Sequence, residues 1–277
     1  MNVTQAILPV AGLGTRFLPW TKVVPKELLP IGNQPIIALL VDECLSIGVT
    51  DICFVISHGK EAIPQFFYDD PALEAELKRR GKQEAISDLK MYDNVNFHVV
   101  YQSEQHGDGH AILQAADWVK TDVVAVLFGD DLIIGPENGM TQLHRAYQAL
   151  PAAADPAKMP AMLCLQNVDR KQVSKYGVVD VDEEGTEGRL KKIKGLVEKP
   201  KPEEAPSTLG IVGKYLIPRS TFKVLPDVKS GHGGEIRLID ALIHQLEELP
   251  VYGYEFKGKR LDTGTPEGYK EAVQMLG

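Results

Sequence analysis

QAILPVAGLGTR, Gln5 to Arg16, reads as a short buried strand, Gln5 to Val10, that runs into a glycine-rich turn at Ala11-Gly12. Such a turn lets backbone N–H groups approach an oxyanion closely. Nine residues past Arg16 begins Pro25-Lys26-Glu27. An arginine and a lysine held near a glycine-rich turn suggest a site for several phosphates. The turn fits two familiar phosphate motifs poorly. A P-loop needs two glycines separated by four residues and then Lys and Ser or Thr, and a dinucleotide fingerprint needs a third glycine where this chain has Phe17. A lone tight turn and a structural arginine ion pair are the plain alternatives. Two flanking cations favour phosphate.

Outward from the turn, the pattern alternates strand and helix. Pro35 to Ile47 is a predicted helix, with Pro35 in its first turn and Gly48 just past its end. DICFVIS, Asp51 to Ser57, is a β-rich run, so the sheet should be at least partly parallel. Residues 61–92 break the alternation. Glu61 to Phe67 and Ala72 to Leu89 look helical, with a sparse apolar stripe of Leu73, Leu77, Ile86 and Leu89, as expected of a charged insertion on the surface. Asn96 to Tyr101 and Val123 to Phe128 are predicted strands around a helix at Ala111 to Val119. Pro151 to Pro160, rich in Ala and Pro, is the most plausible seam. Further strands are expected at Ala161 to Gln166, Tyr176 to Val181, Leu190 to Val197, Ile211 to Ile217 and Val251 to Phe256. Turns are expected at Asp182 to Gly188 and Lys199 to Pro202, and helices at Glu235 to Glu248 and Thr265 to Met275.

Composition narrows the classes. With 277 residues, 44% hydrophobic and 25% charged, the chain can build a sizeable core. A net charge of −8 argues against a nucleic-acid binder, though not against anionic substrates met by local cations. Cys44, Cys53 and Cys164 sit in apolar stretches without CxxC spacing and read as buried hydrophobes in a reducing compartment. No basic n-region and no membrane-length apolar run is found, so a cytoplasmic enzyme is expected.

Several polar clusters carry candidate chemistry. Asp130 and Asp131 end the most apolar strand, where α/β sheets place ligands, and carboxylates there suit Mg²⁺; a turn aspartate is the bland alternative. Asp262, in RLDTGTP from Arg260 to Pro266, is a second candidate. Glu198 and Lys199 precede Pro200, which suggests a fixed turn aiming both side chains into a cleft. Gly177 permits either close ligand approach or a strand kink. His106 and His110 have metal-like spacing, but Gly107 and Gly109 disfavour the helix it needs. The Gln102 amide can read a pyrimidine edge, and the glycines would let a flat base lie against backbone; a polar strand end and a flexible loop read equally well.

Taken together, AGLGTRFLP (Ala11 to Pro19), PKELLP (Pro25 to Pro30), Gln102 with GDGHA (Gly107 to Ala111), VEKP (Val197 to Pro200), GEIRLID (Gly234 to Asp240) and Asp262-Thr263-Gly264 resemble the sugar-nucleotide pyrophosphorylases. The likeness runs nearly end to end and is closest to the bacterial uridylyltransferases that act on glucose 1-phosphate. It implies a Rossmann-like α/β fold with a mixed, mostly parallel central sheet flanked by helices. It implies one domain over 1–277, with 1–150 mainly nucleotide-binding and 151–277 mainly sugar-phosphate-binding. The implied partners are UTP and glucose 1-phosphate, the cofactor Mg²⁺, and the assembly a homodimer or homotetramer.

The same resemblance implies residue roles. The backbone of Ala11, Gly12, Leu13, Gly14 and Thr15 would cradle the nucleotide, Arg16 the β- and γ-phosphates, and Lys26 the α-phosphate. Glu27 would help hold the nucleoside, and Gln102 and Gly107 would read uracil. Asp130 and Asp262 would hold Mg²⁺, with Asp131 a neighbour one residue away. Gly177 and Glu198 would bind sugar hydroxyls and Lys199 the sugar phosphate. Two positions depart from the pattern. Asp108 stands where an apolar residue is usual, and Trp20 where a small one is. A carboxylate beside the base could alter base preference or point to solvent, and Trp20 could narrow the cleft mouth. A sibling that uses dTTP or another hexose 1-phosphate, a nucleotide sensor on the same fold and a dehydrogenase are the rival classes.

Overall fold

The computed structural model describes residues 2–154, 158–228 and 234–277. Strand β1, Gln5–Pro9, lies between β2, Asp51–Ile56, and β4, Val123–Leu127, and β2 carries β3, Asn96–Tyr101; all of these pairings are parallel. The later strands change direction. They are β6, Ala161–Asn167; β7, Gly177–Glu187; β8, Leu190–Glu198; β9, Leu209–Pro218; and β10, Val251–Glu255. The nine form one mixed sheet in the order β3-β2-β1-β4-β9-β6-β10-β8-β7. Here β9 pairs antiparallel with both β4 and β6, β10 runs parallel to β6, and β8 joins β10 and β7 antiparallel. The parallel character is thus concentrated in the first four strands. A small antiparallel pair, β5 (Asp131–Ile134) with β11 (Lys259–Asp262), stands beside the sheet.

The middle of the sheet is covered on both faces, which is why β1, β2, β4 and β6 read as nearly continuous apolar runs. Alternation sends Ala6 and Leu8 into one core and Ile7 into the other, and β4 divides likewise. Helix α1, Ile36–Leu45, packs on the first face through Ile36, Ile37, Leu40 and Val41, each wholly buried and contributing about 1.5–3 kcal/mol. Helix α5, Asp108–Leu113, and helix α7, Leu238–Gln245, cover the second face. Both are shorter than the predicted helices. Helix α6, Gly139–Gln148, has no counterpart among the expected elements; Asn138 Oδ1 caps it by accepting the Thr141 N–H at 2.8 Å. In α8, Pro266–Leu276, Thr265 caps and Pro266 opens the first turn.

The segment at 61–92 is three short helices: α2, Ala62–Gln65, α3, Pro71–Arg79, and α4, Gln83–Leu89. The single helix expected over Ala72 to Leu89 is broken at Gly81, whose φ of +69° is left-handed. No residue of α3 is buried, and only Ile86 of α4 is. The predicted turn Asp182 to Gly188 is mostly strand, since β7 runs on to Glu187. The predicted seam overlaps residues 155–157, which lie outside the described residues; Pro151–Ala154 before them is a 3₁₀ turn. All three cysteines are buried and free, and burial pushes the Cys53 thiol up to about 12. Among the described residues no helix is long and apolar enough to cross a membrane.

Candidate active site

Two adjoining cavities open at the carboxyl ends of the parallel strands, about 330 and 740 Å³ in volume and sized for small ligands. The first is walled by Pro9, Ala11 and Gly12 after β1, Gln102 after β3, Phe128 to Asp130 after β4, and by Lys26, Glu27, Gly107 and Asp108. The second gathers Arg16, Lys175, Tyr176, Gly177, Glu198, Lys199, Arg237, Arg260 and Asp262. Asp108 and Phe128 line both, so the two spaces meet there.

The opening loop contributes unevenly. Ala11 and Gly12 face the first cavity, while Leu13 is exposed and Leu13, Gly14 and Thr15 line neither. Gly14, at φ +65°, turns the chain so that Arg16 reaches the second cavity, where its guanidinium donates to Gly264 O at 3.1 Å. Trp20 is exposed and lines neither cavity, so it does not narrow them.

Lys26 Nζ lies 2.6 Å from Asp130 Oδ2. Burial pulls the lysine pKa down, but the Asp130 and Glu27 carboxylates more than offset this and it stands raised. Burial would raise Asp130, and Lys26 foremost holds it below the usual carboxylate range. Glu27 turns inward. Its two oxygens accept from Lys60 Nζ at 3.1 and 2.9 Å, and the same ammonium donates to Val10 O at 2.6 Å. Burial pushes the Glu27 pKa up and the Lys60 pKa down, against their mutual attraction. With both oxygens held by Lys60, Glu27 ties the PKELLP loop to the end of β1 and forms cavity wall.

Asp130 and Asp131 diverge. Asp131 is buried, accepting from Arg260 Nε at 2.5 Å and from the Gly213 N–H at 2.8 Å. Arg260 in turn donates to the Tyr176 hydroxyl at 3.1 Å and lies over that ring. Asp130 is the one that reaches the first cavity. It meets Asp262 across Gly264: a Cβ on Gly264 would stand 2.6 Å from Asp130 Oδ2 and 3.1 Å from Asp262 Oδ1. That close approach is what the glycine of the Asp262-Thr263-Gly264 turn permits. Among the described residues no cluster of three or more His, Cys, Asp or Glu could hold a metal by itself.

In the second cavity Glu198 sits 3.3 Å from Lys199 Nζ and 3.7 Å from Arg237. Gly177 is where a Cβ would stand 2.7 Å from Ile239 Cδ1 and 3.1 Å from Glu198 Oε2. Lys199 has a φ of +46°, a left-handed backbone that costs a non-glycine residue about 1 kcal/mol or more and aims its side chain at the cavity. Gly107, at φ +102°, leaves no room for a Cβ because the Ile236 carbonyl packs against it. Its lack of a side chain therefore serves the junction with the α7 approach as well as any base. Asp108 is part of that junction: its Oδ1 accepts the Leu238 N–H at 2.8 Å. The carboxylate is open to the cleft and enclosed by protein on its other sides. Lost hydration pushes its pKa up to about 6, with Glu198 adding to the push and the Leu238 N–H opposing it.

Sequence reasoning missed Lys60, Gln105, Phe128, Tyr176, Arg237 and Arg260. One of them had a signal. Arg260 and Asp262 are two apart on a strand and so share a face. Gln105, which donates to Ala11 O at 3.0 Å, had none.

A central sheet with a glycine-rich turn after its first strand, two close carboxylates and two joined cavities is the architecture of a nucleotidyl-group transferase. The chain belongs to the nucleotidyl transferase family, whose sequence profile matches residues 5–277. A UTP–glucose-1-phosphate uridylyltransferase of Pseudomonas aeruginosa is 36% identical over 276 residues, 99% of this chain and 95% of that protein. One of Bacillus subtilis (strain 168) is 38% identical over 97% of this chain and 89% of its own length. The crystal structure of a UDP-glucose pyrophosphorylase complexed with UDP-glucose superposes with a TM-score of 0.85 at 33% identity, covering 99% of this chain and 98% of that one.

Proposed function

We propose that this chain transfers the uridylyl group of UTP to glucose 1-phosphate, releasing UDP-glucose and pyrophosphate. The observation that carries the reading is the pair of cavities meeting at Asp108 and Phe128: one offers an amide and backbone suited to a base, the other cations suited to a sugar phosphate. A phosphate oxygen of glucose 1-phosphate attacks the α-phosphorus of UTP. A P–O bond forms there as the bond to the departing pyrophosphate breaks in line with it. The nucleophile is already an anion near neutral pH, so no general base is needed. Catalysis is positioning two polyanions and offsetting their repulsion.

In this reading Gln102 and Gly107 meet uracil, Lys26 the α-phosphate, and Arg16, which lines the second cavity and is held at Gly264 O, the β- and γ-phosphates. Glu198 and Gly177 meet the sugar hydroxyls and Lys199 the sugar phosphate. The residues fit Mg²⁺. Asp130 and Asp262 would hold the ion: their carboxylates come close across Gly264, and a magnesium ion takes one or two carboxylates and completes its shell with phosphate and water. The first cavity also needs added positive charge, since, with Glu27 paired to Lys60, Lys26 still shares it with Asp108, Asp130 and Glu235. When bound, the ion neutralises phosphate oxygens and polarises the reacting phosphoryl group. Residues 1–150 then supply mainly the nucleotide side and 151–277 mainly the sugar-phosphate side. An assembly of two or four copies, suggested by the family resemblance, is checked by analytical ultracentrifugation.

The test is pyrophosphate release across UTP, dTTP and CTP, each with glucose 1-phosphate or galactose 1-phosphate, in Mg²⁺. Release with UTP and glucose 1-phosphate foremost is expected. Silence across the whole matrix overturns the reading.

A further inference from the structure

Gln102 is 4% exposed, with its amide in the wall of the first cavity. An amide offers a ligand either an acceptor or a pair of donors, and recognition requires that one end be fixed. Here the nitrogen end is held twice. Nε2 lies 3.1 Å from Gly107 O and 3.0 Å from His110 Nδ1, so its two hydrogens meet a carbonyl and a ring nitrogen. Among the described residues no hydrogen bond engages Oε1, which is the end left for a ligand.

For Nδ1 to accept, the His110 ring must be neutral with its proton on Nε2. A competitor stands on the other side: Gln114 Nε2 is 3.2 Å from His110 Nε2 and 3.1 Å from His110 O. A neutral ring accepts from one amide only. Gln114 is partly exposed and can turn to water. A flipped Gln102 would set its oxygen against the Gly107 carbonyl in a buried place, so the buried amide keeps the ring lone pair. Burial first, and then the His106 ring edge-on at 5.2 Å, hold the His110 pKa below the usual histidine value; Glu104, which pairs with His106 at 2.7 Å, opposes them.

We infer that His110 is a positioning residue that turns the Gln102 amide oxygen-first towards the base, and that it thereby sets the preference for a uracil-type ring over cytosine. The inference rests on the nucleotide reading given above. A carbonyl acceptor meets the N3–H that uracil and thymine carry, and repels the N3 lone pair of cytosine.

The experiment compares kcat/KM for UTP and CTP, with glucose 1-phosphate, in the wild type, His110→Leu and His110→Asn. His110→Leu is expected to lower the UTP-to-CTP ratio by about tenfold or more. His110→Asn, whose Oδ1 can accept where Nδ1 did, is expected to keep it within about threefold. An unchanged ratio in His110→Leu overturns the inference, whatever happens to overall rate. A wild type that turns over neither nucleotide sinks the functional reading instead. The ring itself gives a readout independent of any variant: long-range ¹H–¹⁵N spectra of the wild type should show His110 protonated at Nε2 and bare at Nδ1. A proton on Nδ1 overturns the inference.

Discussion

The two cavities meet at one carboxylate yet are built from different materials. The first sets glycine and alanine backbone (Ala11, Gly12, Gly107 and Gly129) and two amides, Gln102 held at one end and Gln105, beside one lysine and the carboxylates of Glu27, Asp108, Asp130 and Glu235. The second is mostly long charged side chains, with Arg16, Lys175, Lys199, Arg237 and Arg260 set among acids. Fixed dipoles distinguish ligands by hydrogen-bond pattern, whereas flexible charges hold whatever carries the opposite sign. Selectivity for the base should therefore be strict, and selectivity for the sugar should depend on the few short contacts at Gly177 and Glu198.

Four changes test that contrast. The largest effect belongs to the wall of the first cavity. Lys60→Met strands the buried Glu27 carboxylate and should cost about 3 kcal/mol in urea unfolding at an unchanged m-value. Adding Glu27→Met should recover most of the loss. A Lys60→Met protein as stable as the wild type would mean that this wall is not held by the pair. Next, Lys26→Ala should lower turnover by about a hundredfold or more in steady-state kinetics while the circular dichroism spectrum is retained. Near-normal turnover removes Lys26 from the α-phosphate. Third, Lys199→Ala should raise KM for glucose 1-phosphate by about tenfold and leave KM for UTP nearly unchanged. A rise shared equally by both substrates would erase the distinction between the cavities.

The smallest effect concerns the junction. The Asp108 carboxyl, pushed up to about 6, keeps its proton in the folded protein where the unfolded chain has lost it. Stability should therefore fall as pH rises from the ordinary aspartate range through about 6. Asp108→Asn keeps an acceptor for the Leu238 N–H and should flatten that slope. Melting temperatures of both proteins at pH 4.5 and 6.5 give the comparison, and parallel slopes would exonerate Asp108.

Legibility in the sequence followed the same division. The first cavity rests on local signals, such as the strand end before Gly12, the loop around Lys26, Gln102 closing a β-run and Asp130 ending the most apolar strand. These were readable because each motif carries its own punctuation. The second cavity is assembled by β7, β8, β9 and β11 from distant segments, so Arg237, Arg260 and Tyr176 drew no attention alone. The antiparallel pairing of β9 was unreadable for a related reason. Both faces of the sheet are buried, so an apolar run says that a strand is central but not which way it points. Asp130 and Asp131 could not be separated by sequence either. A bend after β4 sends one to the first cavity and the other to Arg260 in the wall of the second.

The order β4-β9-β6 sets a strand from the second half of the chain directly against one from the first. Tyr215 faces Val126, and Lys214 reaches from the same strand to Glu43 of α1 in a buried ion pair at 2.9 Å. Cutting the polypeptide in the loop after α6 would therefore yield two sticky fragments rather than two modules. The sheet of the first would end at β4 with an open ladder of N–H and C=O groups, and the second would bare β9. Such edges recruit neighbouring chains. Co-expressed halves would be expected to find each other, and each half alone to aggregate.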